Sequence, residues 1–315
     1  MVHVLGENPE SKKVRQVQEE IRNSQRVRAL LDHRDRHGRF KNTRSVYAKW
    51  QGAHWVLATL ADIGYPAEDP SLIPIRDQIV DLWVDDYFYK EFDATAKADA
   101  YKKDGIPVMQ GRHRRCASQQ GNALFFLTKL ALVDERTEKL VERLLHWQWP
   151  DGGWNCDKDP AADTSSFMET LFPMCGLAAY AREKGDKKAK DAALRASEVF
   201  LSRRLFKRRS DKKVIHPEFV HLHYPLYWHY DFLGGLKAMA ALGLVRDERC
   251  ADALDLLEEK ELPGGGWPAE KRYYKVASTI ELHADYADWG GTSKKKMNEW
   301  VTTDALLVLS AAGRI

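Results

Sequence analysis

The chain has 315 residues, of which 44% are hydrophobic and 30% charged, with 49 basic against 46 acidic side chains and a formal net charge of +3. That length can bury a large core in one or two domains. The near balance of charge argues against nucleic acid as a partner, and no run reaches the ~18–20 apolar residues of a membrane span. The four cysteines, Cys116, Cys156, Cys175 and Cys250, form no close pair, which speaks against a disulfide framework and for a reducing compartment. Met1 to Ser11 lacks the apolar run of a secretory leader, so a soluble cytoplasmic protein is the expectation.

Helical periodicity dominates the chain in order. Val14 to Leu31 reads as a charged amphipathic helix with Val14, Val17, Ile21, Val27, Leu30 and Leu31 on its apolar side. Tyr47 to Ile63 is a richer apolar helix, stopped by Gly64 and Pro66. Helices are then predicted at Leu72–Trp83, Ala117–Val133, Asp134–Trp147, Ser166–Ala181, Lys187–Leu205, Leu226–Leu244, Asp247–Glu259 and Glu299–Ala312. No segment alternates cleanly enough to predict a strand. Charged amphipathic helices such as 137–145 and 251–259 alternate with helices rich in small apolar residues, such as 174–180 and 233–242. The first kind covers a surface and the second is buried, which predicts two concentric layers. The fold class is all-α, an (α/α) toroid of five or six hairpins with alternating inner and outer helices. No linker divides the chain, so 1–315 reads as one domain, with 1–33 an N-terminal outer helix and 34–315 the hairpin repeats.

A turn recurs through this pattern. It reads Asp35-Arg36-His37-Gly38-Arg39-Phe40, Trp149-Pro150-Asp151-Gly152-Gly153-Trp154 and Pro263-Gly264-Gly265-Gly266-Trp267, and the closing aromatics at 40, 154 and 267 are 114 and 113 positions apart. Equal spacing signals repeated supersecondary units. Each gap would cover two hairpins, with plainer turns expected near 97 and 210, and Pro268–Lys296 is the place for a sixth hairpin.

His146-Trp147-Gln148-Trp149-Pro150-Asp151-Gly152-Gly153-Trp154, followed by Met174-Cys175-Gly176-Leu177-Ala178-Ala179, resembles the repeat of the prenyltransferase and squalene-cyclase family. The resemblance implies a terpenoid cyclase-type toroid with a central cavity for an apolar, isoprenoid-type small molecule. The catalytic signatures of that family are not matched. Asp85-Asp86 and Asp285-Tyr286-Ala287-Asp288 do not form an Asp-x-Asp-Asp acid motif, and Cys156-Asp157 reverses the Asp-x-Cys order of the zinc-binding transferases.

The densest concentration of chemistry is His221 to Asp231, with three histidines, three tyrosines, a tryptophan and an aspartate in eleven residues. Asp231, His223, His229 and Tyr227 are candidates for acid, base or hydrogen-bonding roles, joined by Asp285 from the segment Glu281–Trp289. Pro225 suits the first turn of a helix, so Tyr227, Trp228 and Asp231 are expected to be helical. Substrate-binding candidates are Trp228, Tyr224, Tyr230, Trp55, His113, Arg115, Glu169 and Trp289, whose rings suit an apolar or cationic ligand and whose charges suit an anionic group. His221, His223 and Cys156 are the candidates for a divalent metal such as zinc. An alternative reading is a carbohydrate-active toroid using Glu169, Asp231, Glu281 and Asp285 as paired carboxylates, and a third is a non-catalytic binding protein that keeps only the repeat.

Overall fold

The computed structural model describes residues 2–40 and 45–315, with the backbone alone for His3. Residues 1 and 41–44 of the predicted N-terminal and repeat regions lie outside it. Its helices are α1 (Val2–Leu5), α2 (Lys12–Arg22), α3 (Gln25–Leu31), α4 (Ala53–Asp62), α5 (Ile73–Trp83), α6 (Ser118–Lys129), α7 (Glu135–Trp147), α8 (Phe167–Lys184), α9 (Lys187–Leu201), α10 (Phe232–Ala241), α11 (Ala251–Glu259) and α12 (Glu299–Ala312). The molecule is mostly helical, as expected. Short strands are present where none was expected: β1 (Glu91–Asp93), β2 (Ile106–Met109), β3 (Arg112–His113), β4 (Lys275–Val276) and β5 (Ala284–Asp285). They are two to four residues long, too short to show an alternating pattern in sequence. β1 pairs in parallel with β2, with Glu91 opposite Ile106, and β2 runs antiparallel to β3, with Val108 opposite His113. β4 and β5 form a separate parallel pair.

The chain forms two compact units, a terminal unit of Met1–Pro66 with Phe200–Ile315 and a middle unit of Ala67–Val199. In the middle unit α7 is the amphipathic member. Its Leu140, Val141, Leu144 and Trp147 are buried, and Asp134 and Thr137 close a capping box at its start. The polar–apolar sequence pattern and the cap agree, so this helix begins and ends within a residue of its expected bounds. α8 buries most of its length and stops at Gly185, whose φ of 70° is the left-handed end of a helix. In the terminal unit α12 matches its predicted bounds. It starts at Asn298, whose side chain accepts from Trp300 N–H and Val301 N–H, and ends at Gly313 with φ of 72°. Lys237 on α10 ties three helices of this unit together, bonding Asp62 of α4 at 3.0 Å and Asp304 of α12 at 2.7 Å.

Several predicted helices are shorter or broken: Ala117–Val133 ends at Lys129, Lys187–Leu205 ends at Leu201, and Asp247–Glu259 begins at Ala251. Val14–Leu31 divides at Asn23–Ser24, because the Ser24 hydroxyl accepts from Val27 N–H and starts α3 anew. Tyr47–Ile63 begins only at Ala53, after Gly52. Leu226–Leu244 begins at Phe232, because the Asp231 carboxylate caps Gly234 N–H at 2.7 Å. Pro268–Lys296, offered as a sixth hairpin, holds no helix among the described residues.

The repeated turn is real in detail. Asp35, Trp149 and Leu262 each donate N–H to the carbonyl four residues on, Arg39, Gly153 and Gly266, at 2.7, 2.8 and 2.9 Å. Gly38, Gly152 and Gly265 each donate back to the first residue, and their φ values of 75°, 98° and 85° are ones a side chain would strain. The tryptophans that follow are pinned alike. Trp154 Nε1 donates to Leu144 O on α7 at 3.0 Å, and Trp267 Nε1 to Leu257 O on α11 at 2.7 Å, ten residues back in each case. Their backbone is held by the fourth residue of the next helix. Trp154 N–H donates to Thr170 Oγ1 on α8 at 3.1 Å, and Trp267 N–H to Thr302 Oγ1 on α12 at 2.9 Å. A Cβ on Gly153 would sit 2.5 Å from Thr170 Oγ1, and one on Gly266 would sit 3.0 Å from Thr302 Oγ1, so the glycine makes the hydroxyl contact possible. In the first turn Arg39 and Phe40 replace the Gly-Trp pair, and Val56 holds the fourth position of α4. The turn near 210 is a plain hairpin, with Arg208 N–H on Lys213 O at 2.7 Å.

Trp154 is 1% exposed. Trp154→Phe keeps most of the ring and strands the Leu144 carbonyl. It is expected to cost about 1–2 kcal/mol in urea unfolding, against about 3–5 kcal/mol for Trp154→Ala. A Trp154→Phe protein as stable as the parent would remove the pin.

Candidate functional site

The terminal unit holds a cleft of about 670 Å³ lined by Lys49, Trp50, Trp228, His229, Arg272, Tyr273, Tyr274, Lys275, Leu282 and His283. Three chain segments build it. The first precedes α4, the second is the aromatic loop before α10, and the third is the excursion between Trp267 and Asn298. That excursion is an enlarged version of the link between a turn's closing aromatic and the helix that follows it. Ser166 follows Trp154 by 12 positions and Gly52 follows Phe40 by 12, whereas Asn298 follows Trp267 by 31.

The wall is a set of packed rings. His229 stacks on Tyr273 at 3.7 Å and 14°. Trp50 stacks on Tyr227 at 4.2 Å and 9°, and its Nε1 donates to Tyr273 O at 2.9 Å. Lys49 Nζ lies 4.9 Å from the Trp228 ring centre and 5.4 Å from that of Trp50. His229 is pulled down to about 4, by burial first and then by His223, Lys49 and His283. It is therefore neutral at ordinary pH, and its Nδ1 is buried without a hydrogen-bond partner.

Behind that wall lies a buried pair. His223 Nδ1 is 2.9 Å from Asp231 Oδ2, and each side chain is 1% exposed. Burial pushes His223 down, but the Asp231 carboxylate and its hydrogen bonds outweigh it and raise the imidazole. Asp231 also accepts from His223 N–H and caps α10. His223 packs edge-on against Tyr273 at 4.9 Å. A second anchor is Asp285, raised by burial, which accepts from Tyr227 OH, from Trp289 Nε1 at 2.9 Å and from Ala287 N–H at 2.9 Å.

Of the residues singled out from sequence, His229 and Trp228 line the cleft, while His223, Asp231, Tyr227, Asp285 and Trp289 hold its frame from behind. The two segments 221–231 and 281–289 meet, through Tyr227 and Asp285. Tyr224 is buried and stacks on Trp300 at 5.3 Å, Tyr230 donates to Leu205 O at 2.7 Å, and Trp55 meets Trp50 edge-on in the core. The expected helix through Tyr227 is absent. Tyr227 has φ of 46° and His283 has φ of 56°, conformations that side chains adopt at a cost and that gather at functional sites. Glu281 is on the surface, paired with Lys275. Sequence reasoning missed Lys49, Trp50, Arg272, Tyr273 and Tyr274; the long interval after Trp267 is the only signal for the last three, and nothing local marks Lys49 and Trp50.

His113, Arg115, Glu169 and Cys156 belong to the middle unit. Two groups of metal-binding donors form there: Glu91 with His113 and His146, and Cys116 with Cys156 and Glu169, the donor atoms of each group lying within 4.8 Å of one another. His146 Nε2 is 3.0 Å from Glu91 Oε1 and His113 Nε2 is 3.3 Å from Oε2. Glu169 is raised by burial, and its Oε2 caps α6 by accepting from Ser118 N–H at 3.1 Å. Of the metal set expected from sequence, His221 lies 3.8 Å from Glu218 and His223 pairs with Asp231 in the terminal unit, whereas Cys156 keeps its own company in the middle unit. Arg115 lines a smaller cavity of about 290 Å³ with Tyr87, Phe88, Tyr101, Lys103 and Lys158. No helix among the described residues is long and apolar enough to cross a membrane.

No protein-family model matches the chain, and no curated protein matches it in sequence. Among solved structures, the apo form of the type II terpene cyclase MstE from Scytonema matches at 14% identity over 92% of this chain and 96% of its own, with a TM-score of 0.28. No site residue can be carried across at that identity.

His54, fully buried on α4 beside Tyr47 and Trp55, is pulled down to about 3 by burial. The unfolded chain titrates it near 6.5. A depressed histidine means the unfolded state binds more protons as pH falls, so stability is full above about pH 6.5 and lost toward pH 3. His54→Gln is expected to flatten the slope of unfolding free energy between pH 6 and 4 by up to about 1.4 kcal/mol per pH unit. Superimposable slopes in the two proteins would count against it.

Proposed function

We propose that the terminal unit binds an apolar, isoprenoid-type small molecule bearing an anionic head group, in the manner of a terpenoid cyclase or prenyltransferase built on an α/α toroid. The observation that carries this reading is the lining of the cleft: ring faces of Trp50, Trp228, His229, Tyr273 and Tyr274, three cations in Lys49, Arg272 and Lys275, and no carboxylate. Its volume is that of a small-molecule site. Aromatic faces hold an apolar chain and stabilise positive charge developing on it. The cations suit a phosphate or diphosphate. Arg272 and Lys275 keep surface partners in Asp288 and Glu281, which an anionic ligand would share or displace. His229, neutral and stacked on Tyr273, adds a further uncharged ring face to the wall. Glycan cleavage by paired carboxylates finds less support, because Glu169, Asp231, Glu281 and Asp285 are not among the lining residues.

Titration with farnesyl diphosphate, farnesol and inorganic diphosphate, followed by tryptophan fluorescence, tests this directly. The diphosphate ester is expected to bind more tightly than the alcohol. Trp228→Ala should weaken it by about tenfold or more, as expected for a stacked aromatic contact worth ~1.4 kcal/mol or more. Lys49→Ala combined with Arg272→Ala should erase the preference for the ester. Absence of binding by the ester, or binding unaffected by Trp228→Ala, would sink the reading.

A further inference from the structure

The group around Cys116 in the middle unit is independent of the cleft and of the function proposed for it. Its three donors come from three separately anchored segments. Cys116 lies two positions before α6, next to its N-cap residue Ala117. Cys156 follows the pinned Trp154 by two residues, on a loop held by the bridge between Arg114 and Asn155 and by Asn155 Nδ2 donating to Thr164 O at 2.9 Å. Glu169 lies in the first turn of α8. α6 and α8 approach so closely that a Cβ on Gly121 would lie 2.3 Å from Pro173 N, and one on Gly176 would lie 2.4 Å from Gly121 O. The frame is therefore stiff, and the donors are fixed before any ligand arrives.

The distances match a coordination shell. Cys156 Sγ is 3.5 Å from Glu169 Oε1, and all three donor atoms lie within 4.8 Å of one another. A sulfur at ~2.3 Å and an oxygen at ~2.0–2.2 Å from a tetrahedral zinc ion lie about 3.5 Å apart. Glu169 has one oxygen occupied by Ser118 N–H, which orients the carboxylate and leaves Oε1 toward the thiol. Such an outer hydrogen bond is the usual support of a metal-binding carboxylate. Two thiolates, a carboxylate and a divalent cation sum to one negative charge, and the Arg115 guanidinium, in favourable electrostatic contact with all three donors, supplies one positive charge. Thiolate ligands select zinc-like ions over magnesium or calcium.

We propose that Cys116 Sγ, Cys156 Sγ and Glu169 Oε1 hold a tetrahedral zinc-like divalent ion, with the fourth position taken by water or an incoming ligand. Three protein ligands and one exchangeable position are the arrangement of reactive rather than purely structural zinc. Binding displaces the thiol protons to solvent as the Zn–S bonds form, with no change of oxidation state.

The full-length protein, expressed with zinc and dialysed against metal-free buffer, is expected to retain on the order of one zinc per chain by elemental analysis. Exchange for cobalt(II) should give thiolate-to-cobalt charge-transfer absorption, a readout that needs no variant. Cys116→Ser and Cys156→Ser should each lose the ion while keeping the helical circular dichroism. Glu169→Gln keeps an acceptor for Ser118 N–H and should weaken zinc by about tenfold or more. His146→Gln, which disrupts the Glu91 group, should leave the ion in place. A zinc-free protein with two reactive thiols, a Cys116–Cys156 disulfide in place of the ion, or zinc that survives both serine variants and leaves with His146→Gln would each overturn the assignment.

Discussion

The indole of the turn tryptophan is the constraint from which the rest of each unit follows. A buried Trp N–H must find an acceptor, and in both units it finds the carbonyl ten residues back on the preceding helix. The same residue's backbone is taken up by a threonine hydroxyl on the following helix. One residue thus ties the preceding helix to the helix that follows it. The glycine before it, at 153 and 266, is needed because nothing larger lets that hydroxyl approach. Gln148 adds a further tie in the middle unit, donating to Gly152 O at 2.7 Å and to Ala192 O at 2.9 Å.

With the helices so fixed, the chain between the tryptophan and the next helix cap is free to vary, and the chemistry is found there. In the middle unit the link stays short and delivers Cys156 beside Cys116 and Glu169. In the terminal unit it grows by nineteen positions and delivers Arg272, Tyr273, Tyr274, Lys275 and His283 to the cleft. The frame and the site are thus separable, as they are in most folds that host many functions.

The helices that were legible in sequence are those whose capping residues agree with their apolar pattern. α7 has Asp134 and Thr137 at its start, and α12 has Asn298 and Gly313 at its two ends, so pattern and cap specify the same bounds. Where they disagreed, the cap won. Ser24 divides one apolar stripe into two helices, and Asp231 delays α10 past three aromatic residues that fit a helical pattern. The repeat was legible because glycine with positive φ leaves a composition that survives in sequence. The pin was not, because its partners are ordinary leucines and threonines, and the threonines, Thr170 and Thr302, lie at unequal distances from their tryptophans. His229 and Trp228 were found through local density of rings and imidazoles. Tyr273 and Trp50 were missed because stacking across the chain leaves no local signature. Cys116 was read as isolated, since its distance of forty positions from Cys156 says nothing of their proximity in space.

The arrangement of charge separates the roles of the candidate residues more sharply than their identities do. Asp231 and Asp285 are both buried carboxylates of the aromatic loops, and from sequence either reads as a catalytic acid. Each is instead saturated: Asp231 by a backbone cap, a backbone N–H and an imidazole, Asp285 by a phenol, an indole and a backbone N–H. A carboxylate with its lone pairs so engaged has little capacity left for a reacting group, and removing it would unseat the rings it holds. His229 is the converse case. It lies on the cleft wall, its ring is fixed by stacking, and its Nδ1 is unspent. Satisfied polar groups thus build the frame, and the ring of His229 is held on the cleft wall by stacking alone.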